Sequence, residues 1–195
     1  LDDILVRDLV RHPDRIDKLL GTAAAIKFGG AVILFLTVLA LALLKGMSGL
    51  TLTMVLVIAG AEFLKPFVVI EQYFHSQIQG RSAAVVNIVQ ILLASGFRLW
   101  LIIIGAPLVW FAWAYFVEIG FGTIGDLTAY RRSGRSWRAW SYSTEMARYL
   151  LFQSWPLVIY GLALYVQAKI DQVMIGDILT KSLGEAAANA EVGQY

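Results

Sequence analysis

The sequence contains no cysteine, and charged residues make up only 15% of its 195 positions. The first absence excludes a disulfide framework and thiolate chemistry. The second sets the chain apart from soluble domains, which carry about 25% charged residues. Only two histidines occur, His12 beside Pro13 and His75 in YFHSQ, and neither has a neighbour at metal-ligand spacing. No glycine-rich phosphate loop, Gly/Ser linker, low-complexity tract or short repeat is present. Alternating strands of about ten residues, the signature of a membrane β-barrel, are missing too. A net charge of +2 is too small to point to nucleic acid.

What is present is apolar length. Hydrophobic residues reach 58% and the mean hydropathy is +0.69, so the class is all-α, a polytopic membrane helical bundle. About 20 apolar residues are needed to cross a bilayer. Five runs meet that need, at residues 19–44, 50–73, 83–104, 108–129 and 155–179. Lys45-Gly46 and Ser48-Gly49 close the first run, Pro66 predicts a kink in the second, and Gly105-Ala106-Pro107 makes the turn before the fourth. The stretch Trp137 to Gln153 reads as a separate interfacial helix, with Trp137, Trp140, Met146, Tyr149 and Leu150 on one flank.

Charge in the connections assigns the sides. Arg7, Arg11, Arg15 and Lys18 precede the first run, and Arg81 follows the second. Arg131, Arg132, Arg135, Arg138 and Arg148 lie between the fourth and fifth. The other side offers only Lys45 and Lys181. The positive-inside rule makes the first set cytoplasmic. The chain opens on Leu1 in polar sequence and is read as an internal fragment of a longer protein, with residues 1–135 forming one set of membrane helices and 136–195 the beginning of a second.

Seven charged residues stand inside the apolar runs: Lys27, Glu62, Lys65, Arg98, Glu118, Lys169 and Asp171. Each costs about 2.5–3.5 kcal/mol at the centre of a membrane helix. Such residues persist where they face one another or a hydrated cavity, so they are the candidate substrate and ion pathway. Lys27 lies roughly 13 Å along its helix from Lys18, at the limit of snorkelling toward the headgroups. Glu62 and Lys65 share one helix face three residues apart. Arg98 either snorkels outward or holds a phosphate, and Glu118 needs a partner, a proton or water; the two also suit one ion pair. Lys169 and Asp171 stand about 200° apart around their helix and need different partners.

Three stretches resemble the Wzx-type bacterial polysaccharide flippases, relatives of the multidrug exporters of the MATE superfamily. Ser154-Trp155-Pro156, Lys169-Ile170-Asp171-Gln172 and Met174-Ile175-Gly176 match, in order, that family's seventh helix. The segment from Tyr73 to Ile102, with Gln77, Arg81 and Arg98, is similar to the connection of its fourth and fifth helices. ILVRDLVRHPDRIDKLLGTAAAIK resembles the connection of its second and third, with Lys27 as the basic residue of helix three. Glu62 and Lys65 match no family signature.

The resemblance implies helices three to seven of a bundle of twelve to fourteen in the bacterial inner membrane. The implied activity is alternating-access transport of a lipid-linked oligosaccharide on undecaprenyl pyrophosphate, with H+ or Na+ as a coupling ion, without a cofactor and without enzymatic chemistry. The alternatives are a cation-coupled multidrug antiporter of the same superfamily and a membrane-bound polysaccharide polymerase or acyltransferase. The short outward connections KGMSG and GAP leave little room for the catalytic loop the last would need.

Overall fold

The structure, a computed structural model, describes residues 1–77 and 80–183, excepting the side chains of 80–83, 168–169 and 171–183. It is 88% helical, without strands among the described residues. Among the described residues seven α-helices follow one another: α1 Asp2–Arg11, α2 Ile16–Leu44, α3 Gly49–Ala61, α4 Val69–Ser76, α5 Gly80–Ile103, α6 Val109–Arg132 and α7 Thr144–Leu183. Two compact units result, Leu1–Leu151 and Phe152–Tyr195. Trp140, Met146 and Leu150 pack with the core of the first of these units.

Among the described residues, four helical segments are long and apolar enough to cross a membrane: Pro13–Leu44, Gly49–Ser76, Ala84–Ile103 and Thr144–Gln167. They correspond to four of the five expected runs. The remaining run, 108–129, does form a helix, α6, whose 24 residues reach about 36 Å by helical rise. It is less apolar than the others because Trp110, Trp113, Tyr115, Glu118, Thr123, Asp126 and several glycines interrupt it.

The ends of α2 and α5 share one device. Gly46 and Gly105 adopt left-handed φ values of 62° and 65°, which an L side chain would resist. Each reversal lets the following amide reach back over the last turn: Met47 N–H donates to the Ala42 carbonyl at 2.9 Å and Ala106 N–H to that of Leu101 at 3.0 Å. Pro66 has a different consequence from the kink expected of it. It sits in a 3-10 segment, Glu62–Val68, that joins α3 to α4. The tighter winding accommodates the amide that proline lacks.

One element was not anticipated. The opening segment, read as polar, forms the amphipathic helix α1, whose Ile4, Leu5 and Leu9 are buried. They pack with Leu19, Leu20 and Ala23 of α2, with Val69, Ile70 and Phe74 of α4, and with Tyr130 and Leu150. This core occupies the arginine-rich end of the bundle. Along the rest of the first unit, outward side chains such as Ile33, Leu36, Leu92, Ile102 and Ile124 are exposed, as expected of helices bounded by lipid.

The separate interfacial helix is not found. Trp137–Ala139 is a short 3-10 turn, and α7 begins at Thr144 and continues past Pro156. The five residues assigned to one flank divide: Leu150 is buried, Trp140 and Met146 are partly so, and Trp137 and Tyr149 are exposed. The loop bends before Thr144 because its backbone is held to α2. Ser141 N–H donates to the Asp17 carbonyl at 3.3 Å and Ser143 N–H to the Thr22 hydroxyl at 3.1 Å.

Candidate functional site

Four of the seven candidate charges converge on one level of α6. The 3-10 segment has three residues per turn, so Glu62 and Lys65 lie nearly in line. Lys65 Nζ donates to Glu62 Oε1 at 2.5 Å, and the Tyr115 side chain of α6 lies close enough to act on the ammonium. One turn further along α6, Glu118 is paired with Arg98 of α5. Tyr115 and Glu118 are three apart and share a helix face. Three segments thus bring two cations and two anions together within one turn of α6, near mid-helix. Each charge has an opposite partner, so the layer is close to neutral. The placement puts Arg98 inward on Glu118 instead of outward to the headgroups.

Lys27 stands apart from that layer. Its Nζ lies 2.7 Å from Asp2 Oδ1, and only 20% of its side chain is exposed. α1 folds beside α2 and carries an acid to this lysine, so its charge meets an ion-pair partner within the chain. Lys169 and Asp171 belong to α7, but their side chains lie outside the described residues.

Two acids escaped the sequence reading. Asp126, on α6, is only 8% exposed and faces Glu71 of α4. Glu71 accepts from Asn87 Nδ2 of α5 at 2.9 Å and lies 3.6 Å from His75 Nε2. Asp126 follows Glu118 by eight residues, little more than two turns, so it occupies an adjoining flank of α6. That spacing was the available signal, and proximity to the end of the run concealed it. Thr123, on the same helix, donates to the Leu64 carbonyl at 3.4 Å. Among the described residues no three His, Asp or Glu side chains form a metal-binding group.

Small residues permit this convergence. A Cβ on Gly122 would lie 2.4 Å from the Gln90 side chain, and one on Gly125 would lie 2.7 Å from Val86. α5 and α6 therefore approach closely where α6 carries glycine, as in membrane helix pairs generally. Beside this seam runs a groove of about 680 Å³, lined by Phe74, Val86, Val89, Leu93 and Phe121, with Gln90 and Arg132 among its polar groups. Its lining includes none of the seven charges singled out in the sequence.

The loop end has its own polar network. The Trp140 indole N–H donates to the Tyr130 hydroxyl at 3.2 Å, and that hydroxyl donates to Asp17 Oδ1 at 3.5 Å. Arg135 lies 3.5 Å from Asp17 and over the Tyr73 ring at 5.5 Å. Burial pushes the Tyr130 phenol above its ordinary range, with Asp17 adding to the rise and the Trp140 hydrogen bond opposing it. No protein-family model, curated protein or solved structure matches this chain.

Proposed function

We propose that the chain forms part of a bacterial inner-membrane transporter that moves a lipid-linked oligosaccharide by alternating access. The observation that carries the reading is the layer of Glu62, Lys65, Arg98 and Glu118 around one turn of α6. Groups this costly in an apolar bundle serve an anchor poorly. They suit a path along which a phosphate or sugar exchanges hydrogen bonds with fixed side chains. A guanidinium and an ammonium receive phosphate oxygens, and their carboxylate partners keep the empty path neutral. The groove on α5 and α6 supports the same cargo. Its wall is apolar and Arg132 contributes a cation, a combination that fits an isoprenoid chain ending in phosphate. The sequence resemblance supplies the substrate class.

Proteoliposomes containing the whole transporter and a fluorescent undecaprenyl-pyrophosphate oligosaccharide test the reading. Lys169→Ala, Asp171→Ala and the paired change Arg98→Gln/Glu118→Gln should each abolish transfer across the bilayer while the protein stays folded. Wild-type transfer in all three would exclude these residues from the path. A second reading, cation-coupled multidrug antiport, draws on Glu71 and Asp126 near the aromatic residues Phe74 and Phe121 of the groove. Under that reading, the proteoliposomes expel a lipophilic cation such as ethidium and leave the oligosaccharide in place.

A further inference from the structure

The groove beside the α5–α6 seam has a direction. Its α6 wall includes Phe121, Gly125, Thr128 and Arg132. They are spaced by four, three and four residues, so they form one stripe along the helix. From Phe121 to Arg132, the last residue of α6, the stripe runs about 16 Å by helical rise. Val89 and Leu93 of α5 belong to the facing wall. The groove therefore follows the helix axes and ends at the arginine-rich side of the bundle.

The two ends differ in chemistry. At the arginine-rich end, the hydroxyls of Thr128 and Ser133 donate to the Ile124 and Tyr130 carbonyls, each at 2.7 Å. Arg132 is exposed and forms no ion pair among the described residues. Its guanidinium is the donor that an anion would meet there. Toward mid-helix the stripe runs on into the charge layer. Glu118 precedes Phe121 by three residues and Arg132 by fourteen, nearly four turns, so all three share one face of α6. Glu118 is paired with Arg98, so the charges at that end are already balanced. An amphiphile in the groove is therefore oriented, with its anionic headgroup at Arg132 and its chain toward Phe121. One groove with one cation at its end suits a single chain behind a phosphate, whereas a glycerophospholipid would leave its second chain outside.

We propose that this groove is the docking site for an isoprenoid phosphate in the arginine-rich leaflet, with Arg132 receiving the phosphate and the Val89–Phe121 walls holding the adjoining part of the tail. The inference takes its cargo from the transport reading and adds where the carrier docks, which way round it lies and from which leaflet it enters. By the positive-inside rule that leaflet is the cytoplasmic one.

Titration of the whole transporter in detergent with farnesyl phosphate tests it, read by native mass spectrometry. Farnesyl phosphate should bind at least about tenfold more tightly than farnesol, which has the tail without the charge. Arg132→Gln should weaken binding about tenfold, the scale of one charge-assisted hydrogen bond. Val89→Trp, at a position 49% exposed and so tolerant of bulk, should fill the groove and weaken binding at least as much. Arg131→Gln, at an exposed neighbour on another flank and outside the lining, should leave binding unchanged. Equal losses at Arg131 and Arg132 would reduce the effect to general basic charge and overturn the proposal. Undiminished binding in Arg132→Gln or in Val89→Trp, or equally strong competition by dihexanoyl phosphatidylglycerol, would overturn it too. The groove and the transport reading fail separately. Undiminished oligosaccharide transfer by the Arg132→Gln/Val89→Trp double variant removes the groove's role and leaves transport standing. Farnesyl phosphate binding as expected, in a protein that transfers nothing, retains the groove as an isoprenoid-phosphate site and removes transport.

Discussion

Arg98 on α5 and Glu118 on α6 neutralise one another across the two helices, the arginine side chain half-buried and the carboxylate more deeply so. Neither side chain supplies its own compensation, so the pair exists only because the Gly105 turn folds α5 and α6 against each other. Removing one partner strands the other in an apolar setting. Arg98→Met alone should lower stability by about 3 kcal/mol, and the double change Arg98→Met/Glu118→Leu should recover most of that loss. Thermal unfolding in detergent, arranged as a double-mutant cycle, measures the difference. A double variant no more stable than either single one would show that the pair is not the stabilising unit.

Gly21 makes a sharp prediction at the other end. A Cβ there would fall 2.6 Å from the Ser141 carbonyl oxygen and 2.8 Å from its nitrogen. Both are backbone atoms and cannot rotate away. Gly21→Ala should push the 140–143 loop off α2, breaking the Ser143–Thr22 and Ser141–Asp17 hydrogen bonds. The expected cost is about 1–3 kcal/mol despite alanine's better helix propensity. Faster hydrogen exchange at Ser141 and Ser143 is the measurement, and unchanged exchange would contradict the packing described.

The anchoring of α1 is tested by Leu9→Ala. Leu9 is fully buried between α2 and α4, and its truncation should cost about 2–5 kcal/mol. Protease cleavage between α1 and α2 should accelerate. The Asp2–Lys27 ion pair should be lost when α1 detaches, so Asp2→Asn should add little to the effect of Leu9→Ala.

Tyr130 sets an alkaline limit. Its phenol titrates above the ordinary value of about 10 in the folded chain. The unfolded chain therefore releases that proton first as pH rises. This contribution to stability is fully present below pH ~10 and is lost as pH rises from there toward the folded value. Tyr130→Phe should flatten the alkaline arm of the stability profile while removing the hydrogen bonds to Trp140 and Asp17. Unfolding midpoints at pH 8 and pH 11 compare the two proteins, and an identical fall in both would remove Tyr130 as its source.

The sequence by itself determined the helical membrane class, because no soluble fold tolerates runs such as Phe28–Leu44 without a polar face. It also fixed the main turns, since Gly46 and Gly105 are needed where the chain reverses. Even α1 was legible in principle: Leu1, Ile4, Leu5 and Leu9 follow helical spacing, though the surrounding charges masked it. The pairing of Glu62 with Lys65 lies within three residues and so was open to local reasoning. Tertiary structure alone decided the other partners. Lys27 meets Asp2, and Asn87 meets Glu71, across separations no local period encodes. A helical pattern records which face is apolar, whereas the partner of a buried charge depends on which helices are neighbours and how closely their glycines let them approach.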